Sequence, residues 1–173
     1  KVTYALFSHH NGDIIVKNAR YAHRVFGGFI TGKIIDSAIV GGLCFIAMTI
    51  FQFPYPPLIS VIIGVANVIP FFGPYIGAIP SILLILLVDP LQALYFLIFI
   101  LVLQQIEGNL IYPKGVGGSI GLPAIWVLVA VTLGGSLFGI VGMLVFIPIV
   151  SVVYTLLKED VNKRLIEKDI TIE

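Results

Sequence analysis

Polar and apolar positions in this chain fall into long blocks rather than alternating. In residues 1–28, Ile14, Ile15, Ala19, Ala22, Val25 and Phe26 recur at helical spacing, and Lys17, Arg20 and Arg24 share one face. That pattern predicts an amphipathic extramembrane helix, able to lie on a membrane surface or against another helix. Gly27-Gly28 is expected to end or bend it. Residues 30–51 follow as an apolar run. As a helix it reaches about 33 Å, enough to cross a hydrocarbon core of about 30 Å. Lys33 and Asp36 fall in its first turns, where they are expected to snorkel to water.

The next segment is broken. Apolar runs 57–69 and 75–88 flank Pro70-Phe71-Phe72-Gly73-Pro74, and each half is only about 20 Å long as a helix. Backbone groups freed by proline and glycine find no partner in lipid, so the break must be buried in protein or face a wet cavity. Two short halves predict a re-entrant hairpin or a discontinuous helix, both of which build transport sites at membrane depth. Asp89-Pro90 marks a turn. Residues 91–112 read as one span, with Gln104, Gln105, Glu107 and Asn109 toward its end. A flexible stretch through Pro113, Lys114, Gly115, Gly117, Gly118 and Gly121 leads to two helices, 122–133 and 137–157. Gly134-Gly135-Ser136 between them suits a tight antiparallel turn. Residues 158–173 form a charged helical tail.

Charge placement settles the class. Of 173 residues 58% are apolar and 11% charged, with a mean hydropathy of +1.08; soluble domains carry about 25% charged residues. Seven charges lie in 1–36 and nine in 158–173, leaving Asp89, Glu107 and Lys114 between. The expected fold is all-α, a polytopic helical membrane protein with a Pro/Gly-broken re-entrant hairpin. It divides into the amphipathic 1–28, a transmembrane domain over 29–157, and a cytoplasmic tail over 158–173. Lysine and arginine concentrate on the cytoplasmic side, so both ends should be cytoplasmic. Spans 30–51, 91–112, 122–135 and 137–157 then make four crossings if 57–88 returns to its own side, with Lys114 inside. The chain starts at Lys1 rather than Met and reads as part of something longer; its opening lacks the layout of a signal peptide.

Several chemistries lack their residues. Net charge is +1 and no basic run interleaves with aromatics, which argues against nucleic acid. Cys44 is alone. His9, His10 and His23 precede the first span and form no zinc-binding pair on one helix face. Gly115–Gly121 lacks the Lys-Ser/Thr of a phosphate-binding loop. Asp89 and Glu107 are too far apart in sequence for an aspartate dyad, and a membrane serine would find no His or Lys base among the uncharged spans. No enzyme, cofactor or metal is expected.

Glu107 stands out. It is the one acid in 90–157, and an acid in or near a span is costly and usually functional. It could carry a proton, a cation or a polar solute, or sit at the interface beside Lys114. Gln104 and Gln105 cannot both face one way, so one faces protein or a cavity. Gly28/Gly32, Gly73/Gly77, Gly117/Gly121 and Gly135/Gly139 have the spacing that lets helices approach closely; helix packing, including oligomerisation, is their plainest use.

Three ordered blocks resemble one family. Asn67-Val68-Ile69-Pro70-Phe71-Phe72-Gly73-Pro74-Tyr75-Ile76-Gly77-Ala78-Ile79-Pro80 is similar to a signature of the autoinducer-2 exporter family of bacterial transporters. So is Gln104-Gln105-Ile106-Glu107-Gly108-Asn109 followed by Tyr112-Pro113-Lys114. The run Gly134–Met143 ending in Ile147-Pro148 resembles the family's last helical hairpin, and Gly28-Phe29-Ile30-Thr31-Gly32-Lys33 its entry to the first of these spans. The pattern departs at Gly115–Gly118, where more apolar residues are expected. The resemblance implies the C-terminal membrane half of such a protein, exporting a small polar signal or metabolite across the bacterial inner membrane. Sodium/proton antiport is the alternative activity within the family, and a non-transporting scaffold the alternative outside it. The candidate pathway residues are Glu107, Gln104, Gln105, Asn109 and Asn67, with Pro70, Gly73, Pro74, Gly77 and Pro80 forming the break. The expected partners are the bilayer, the solute with a proton or sodium ion, and further copies of the chain as a homo-oligomer.

Overall fold

The computed structural model describes residues 9–112 and 121–167, and the regular structure among these is helical, with no strand. Helix α1 spans His9–Ile50, α2 Pro56–Ala66, α3 Gly73–Leu86 and α4 Pro90–Ile106. Helix α4 continues into a π-helical turn, Glu107–Ile111, and α5 covers Ala124–Glu167. Among the described residues, three helical stretches are long and apolar enough to cross a membrane: Val16–Ile50, Pro90–Ile111 and Ala124–Asn162. Helices α2 and α3 are apolar but reach only about 16 Å and 21 Å, too short to cross alone.

The chain forms two compact units, Ile30–Ser119 and the pair of segments Lys1–Phe29 with Ile120–Glu173. In the first, Val40, Cys44, Met48, Ile59, Ile63, Ala78, Ile85, Phe96 and Ile100 are buried together. Phe53 meets Phe96 edge-on, ring centres 5.8 Å apart. Helices α1 and α2 touch through glycine: a Cβ on Gly64 would lie 3.2 Å from the Gly41 Cα. Lipid is as apolar as leucine, so close packing rather than water exclusion holds such contacts. The polarity is accordingly inverted: Leu87, Val65 and Tyr75 are exposed, while Lys33, Asp36, Asn67, Ser81 and Glu107 are buried.

Two boundaries differ from the sequence reading. Helix α1 runs through Gly27-Gly28 without ending. Two glycines cost about 1 kcal/mol each in a helix, but opening the helix would leave several backbone groups unpaired beside an apolar span. The final hairpin turns at Gly139, not at Gly134-Gly135-Ser136. Gly139 has φ 62° and ψ −142°, a region open essentially to glycine. Gly134 instead lies within the first arm, where a Cβ would come 2.7 Å from the Gly142 carbonyl carbon of the second. The glycines expected at the turn are therefore the contact that lets the arms close. In this same unit the Tyr21 hydroxyl donates to Thr155 Oγ1 at 3.0 Å, and Lys17 pairs with Glu159 at 3.5 Å.

Candidate functional site

The site begins at the break between α2 and α3. Asn67 caps α2, and its N–H bonds the Ile63 carbonyl. Pro70 follows, then Phe71 with φ 63°, then Phe72, whose N–H reaches the Pro70 carbonyl at 2.7 Å. The Gly73 N–H returns to the Ile69 carbonyl at 2.9 Å. The turn thus pairs much of its own backbone. Gly73 is required by proximity: a Cβ there would strike the Ala66 carbonyl oxygen and lie 2.9 Å from its carbon. Gly77 similarly faces Ile63 and Ala66, so Gly73 and Gly77 together seat α3 on α2. Pro80 lies in the exposed body of α3.

This turn fixes Asn67 beside charged groups from two other helices. Asn67 is 2% exposed, Asp36 0%, Lys33 4% and Glu107 8%. The Lys33 ammonium donates to Asp36 Oδ2 at 2.7 Å and lies 3.7 Å from Glu107 Oε1. Asn67 Nδ2 donates to the same Asp36 Oδ2 at 3.3 Å. Asp36 and Asn67, besides Lys33, also face the Glu107 carboxyl. Lys33 stands 5.6 Å from the centre of the Tyr112 ring, within cation–π range. Asp36 Oδ1 has no hydrogen-bond partner among the described residues.

Lys33 and Asp36 do not snorkel. The break brings them an amide, the π-helical turn and its end bring a carboxylate and an aromatic face, and mutual pairing replaces water. Of the candidate pathway residues, the structure gathers Glu107, Asn67 and Gln104. These line a cavity of about 10 Å³ with Val40, Ile63, Pro74, Ile100 and Leu103, about the space for one water. Gln105 and Asn109 are exposed and bond each other, Asn109 Nδ2 donating to the Gln105 carbonyl at 2.9 Å. Lys114, the expected neighbour of Glu107, lies outside the described residues, as do Pro113 and Gly117. Among the described residues, Lys33 is the cation beside Glu107.

A π-helical turn, Glu107–Ile111, closes this end of the site. It starts at Glu107, and such turns are frequent at functional sites. No pattern of residue types marks it in the sequence. The partnership of Lys33 with Asp36 did carry a signal: opposite charges three apart on a helix share a face.

The AI-2E family transporter model matches residues 4–162. Two relatives from Bacillus subtilis (strain 168) carry the name "Putative transport protein". YrrI is 37% identical over 126 residues, 73% of this chain and 36% of its own length. YueF is 30% identical over 125 residues, 72% and 34%. YhhT of Escherichia coli (strain K12), similarly named, is 23% identical over 147 residues, 84% and 42%. The chain therefore spans about a third of the length of the Bacillus relatives it matches. No solved structure matches it. The family model covers the break, the buried charges and the final hairpin alike, and this chain belongs to the AI-2E family of transporters.

Proposed function

We propose that this chain is the membrane-embedded part of a non-enzymatic exporter of a small polar solute, such as a signalling molecule, in the bacterial inner membrane. The cluster of Lys33, Asp36, Asn67 and Glu107 is its solute and ion site. One observation carries the reading: in a chain with so few charges, three are buried together against a Pro/Gly break. Intramembrane ionisable groups are expensive and are typically kept for transport. The α2–α3 pair is too short to cross alone and serves as a re-entrant hairpin, its break delivering Asn67 to the charges. Gln104 extends the site; Gln105 and Asn109 belong to the approach beyond it.

Domain roles follow the same reading. Residues 1–28 and 158–173 lie outside the membrane on the cytoplasmic side, and 29–157 lie within it. The Tyr21–Thr155 hydrogen bond supports the shared side. A second reading, ion-coupled antiport, is favoured by the two facing carboxyl groups of Asp36 and Glu107. Flux through full-length protein in reconstituted vesicles tests both. The expected result is movement of a small polar solute, or of sodium against protons, that is lost in Asp36→Asn. A full-length protein that moves neither is a scaffold.

A further inference from the structure

A site that water barely reaches has to balance its charge, because an uncompensated ion there is costly. The groups facing Asp36 come from three segments. Lys33 comes from its own helix, Asn67 from the break, and Glu107 with Tyr112 from the π-helical turn and its end. Among the described residues there, Lys33 is the one cation. Against it stand two carboxyl groups, so with all three ionised the cluster is one positive charge short.

The hydrogen bonding points to the same deficit. Asp36 Oδ2 accepts from both Lys33 and Asn67, while Oδ1 of this fully buried side chain accepts from no described residue. A free carboxylate oxygen beside a second carboxyl can share a proton or coordinate a small cation through oxygen. A divalent ion would overshoot the balance by one charge. Resting on the reading of this cluster as a transport site, we propose that Asp36 and Glu107 together take up one monovalent cation, a proton or an alkali metal ion, and that Lys33 sets the number at one. The amine acts as a tethered cation, closer to Asp36 at 2.7 Å than to Glu107 at 3.7 Å. In the proton case, an O–H bond of a hydronium ion breaks, the proton bonds a carboxylate oxygen, water is left behind and no electrons are exchanged.

A charge-count series on full-length protein in detergent tests this. Proton uptake is titrated in buffer free of alkali ions, and binding of radiolabelled sodium is measured at fixed pH. Uptake on the first measurement identifies a proton site, and uptake on the second an alkali site. Wild type should take up one charge per chain. Asp36→Asn and Glu107→Gln should each take up one fewer, Lys33→Gln one more, and the double variant Lys33→Gln/Glu107→Gln the wild-type number. If Lys33→Gln does not fold, the double variant, whose charge matches wild type, decides the same point. No uptake by wild type, undiminished uptake in both carboxyl variants, or a double variant that takes up none overturns the proposal. Flux measured alongside separates the two readings. Solute flux without charge uptake leaves a transporter with no such cation site. The full charge series without flux leaves a cation site in a protein that does not transport.

Discussion

Lys33 and Glu107 contribute differently to one cluster. Removing Lys33 leaves two carboxylates facing each other, both buried. Breaking a buried pair in this way costs about 3–5 kcal/mol. Lys33→Met should therefore lower the thermal unfolding midpoint in detergent clearly below wild type; an unchanged midpoint would show that water or a second cation taken up relieves the charges. Glu107→Gln is milder, since Lys33 and Asp36 remain a neutral pair at 2.7 Å. The amide keeps the size of the acid but cannot titrate. This variant should fold and insert, and its flux should no longer vary with pH. A flux–pH profile identical to wild type makes Glu107 a packing residue.

At the level of elements, two glycines have different reasons to be glycine. Gly73 is held by contact with the end of α2, where even a methyl group would meet backbone. Gly73→Leu should abolish flux in vesicles while the protein still reaches the membrane; retained flux would make the break a mere connection. At Gly139 no atom would touch an added Cβ, but φ is 62°. Gly139→Ala should cost about 1–3 kcal/mol through backbone strain alone. Gly142→Ala should cost more, because its methyl meets the Gly134 carbonyl across the hairpin. Equal unfolding midpoints for the two variants would contradict that distinction. The break and the start of α4 at Asp89-Pro90 were legible in the sequence because proline and an N-cap aspartate act locally. Asp89 accepts from the Leu91 N–H at 2.9 Å, as that role requires. The hairpin turn was misplaced because several glycines lie close together, and which one turns and which one packs depends on the opposite arm.

For the whole molecule, the Tyr21–Thr155 hydrogen bond and the Lys17–Glu159 pair set the beginning of α1 beside the end of α5. The ion pair is exposed and adds little stability, but it reports position. Cysteines introduced as Lys17→Cys and Glu159→Cys, in a Cys44→Ser background, should cross-link and should be labelled from the same side of the membrane. Labelling from opposite sides would remove the shared cytoplasmic placement of the two ends.

Composition and charge spacing by themselves determined that this is a helical membrane protein, since a run of uncharged apolar residues has few stable alternatives in lipid or water. They also determined the interrupted segment, because proline lacks the N–H that a continuous helix needs, and Glu107 as the acid worth attention. Tertiary structure alone decided which groups Glu107 meets. Lys33, Asp36 and Asn67 are distant from it in the chain, and their burial depends on close approach of helices at Gly41, Gly64 and Gly73 and on the π-helical turn. Sequence position suggested that Lys33 and Asp36 would reach for water. Packing gave them one another instead, because in a low-dielectric interior a charge is stabilised by whichever partner the fold brings within reach.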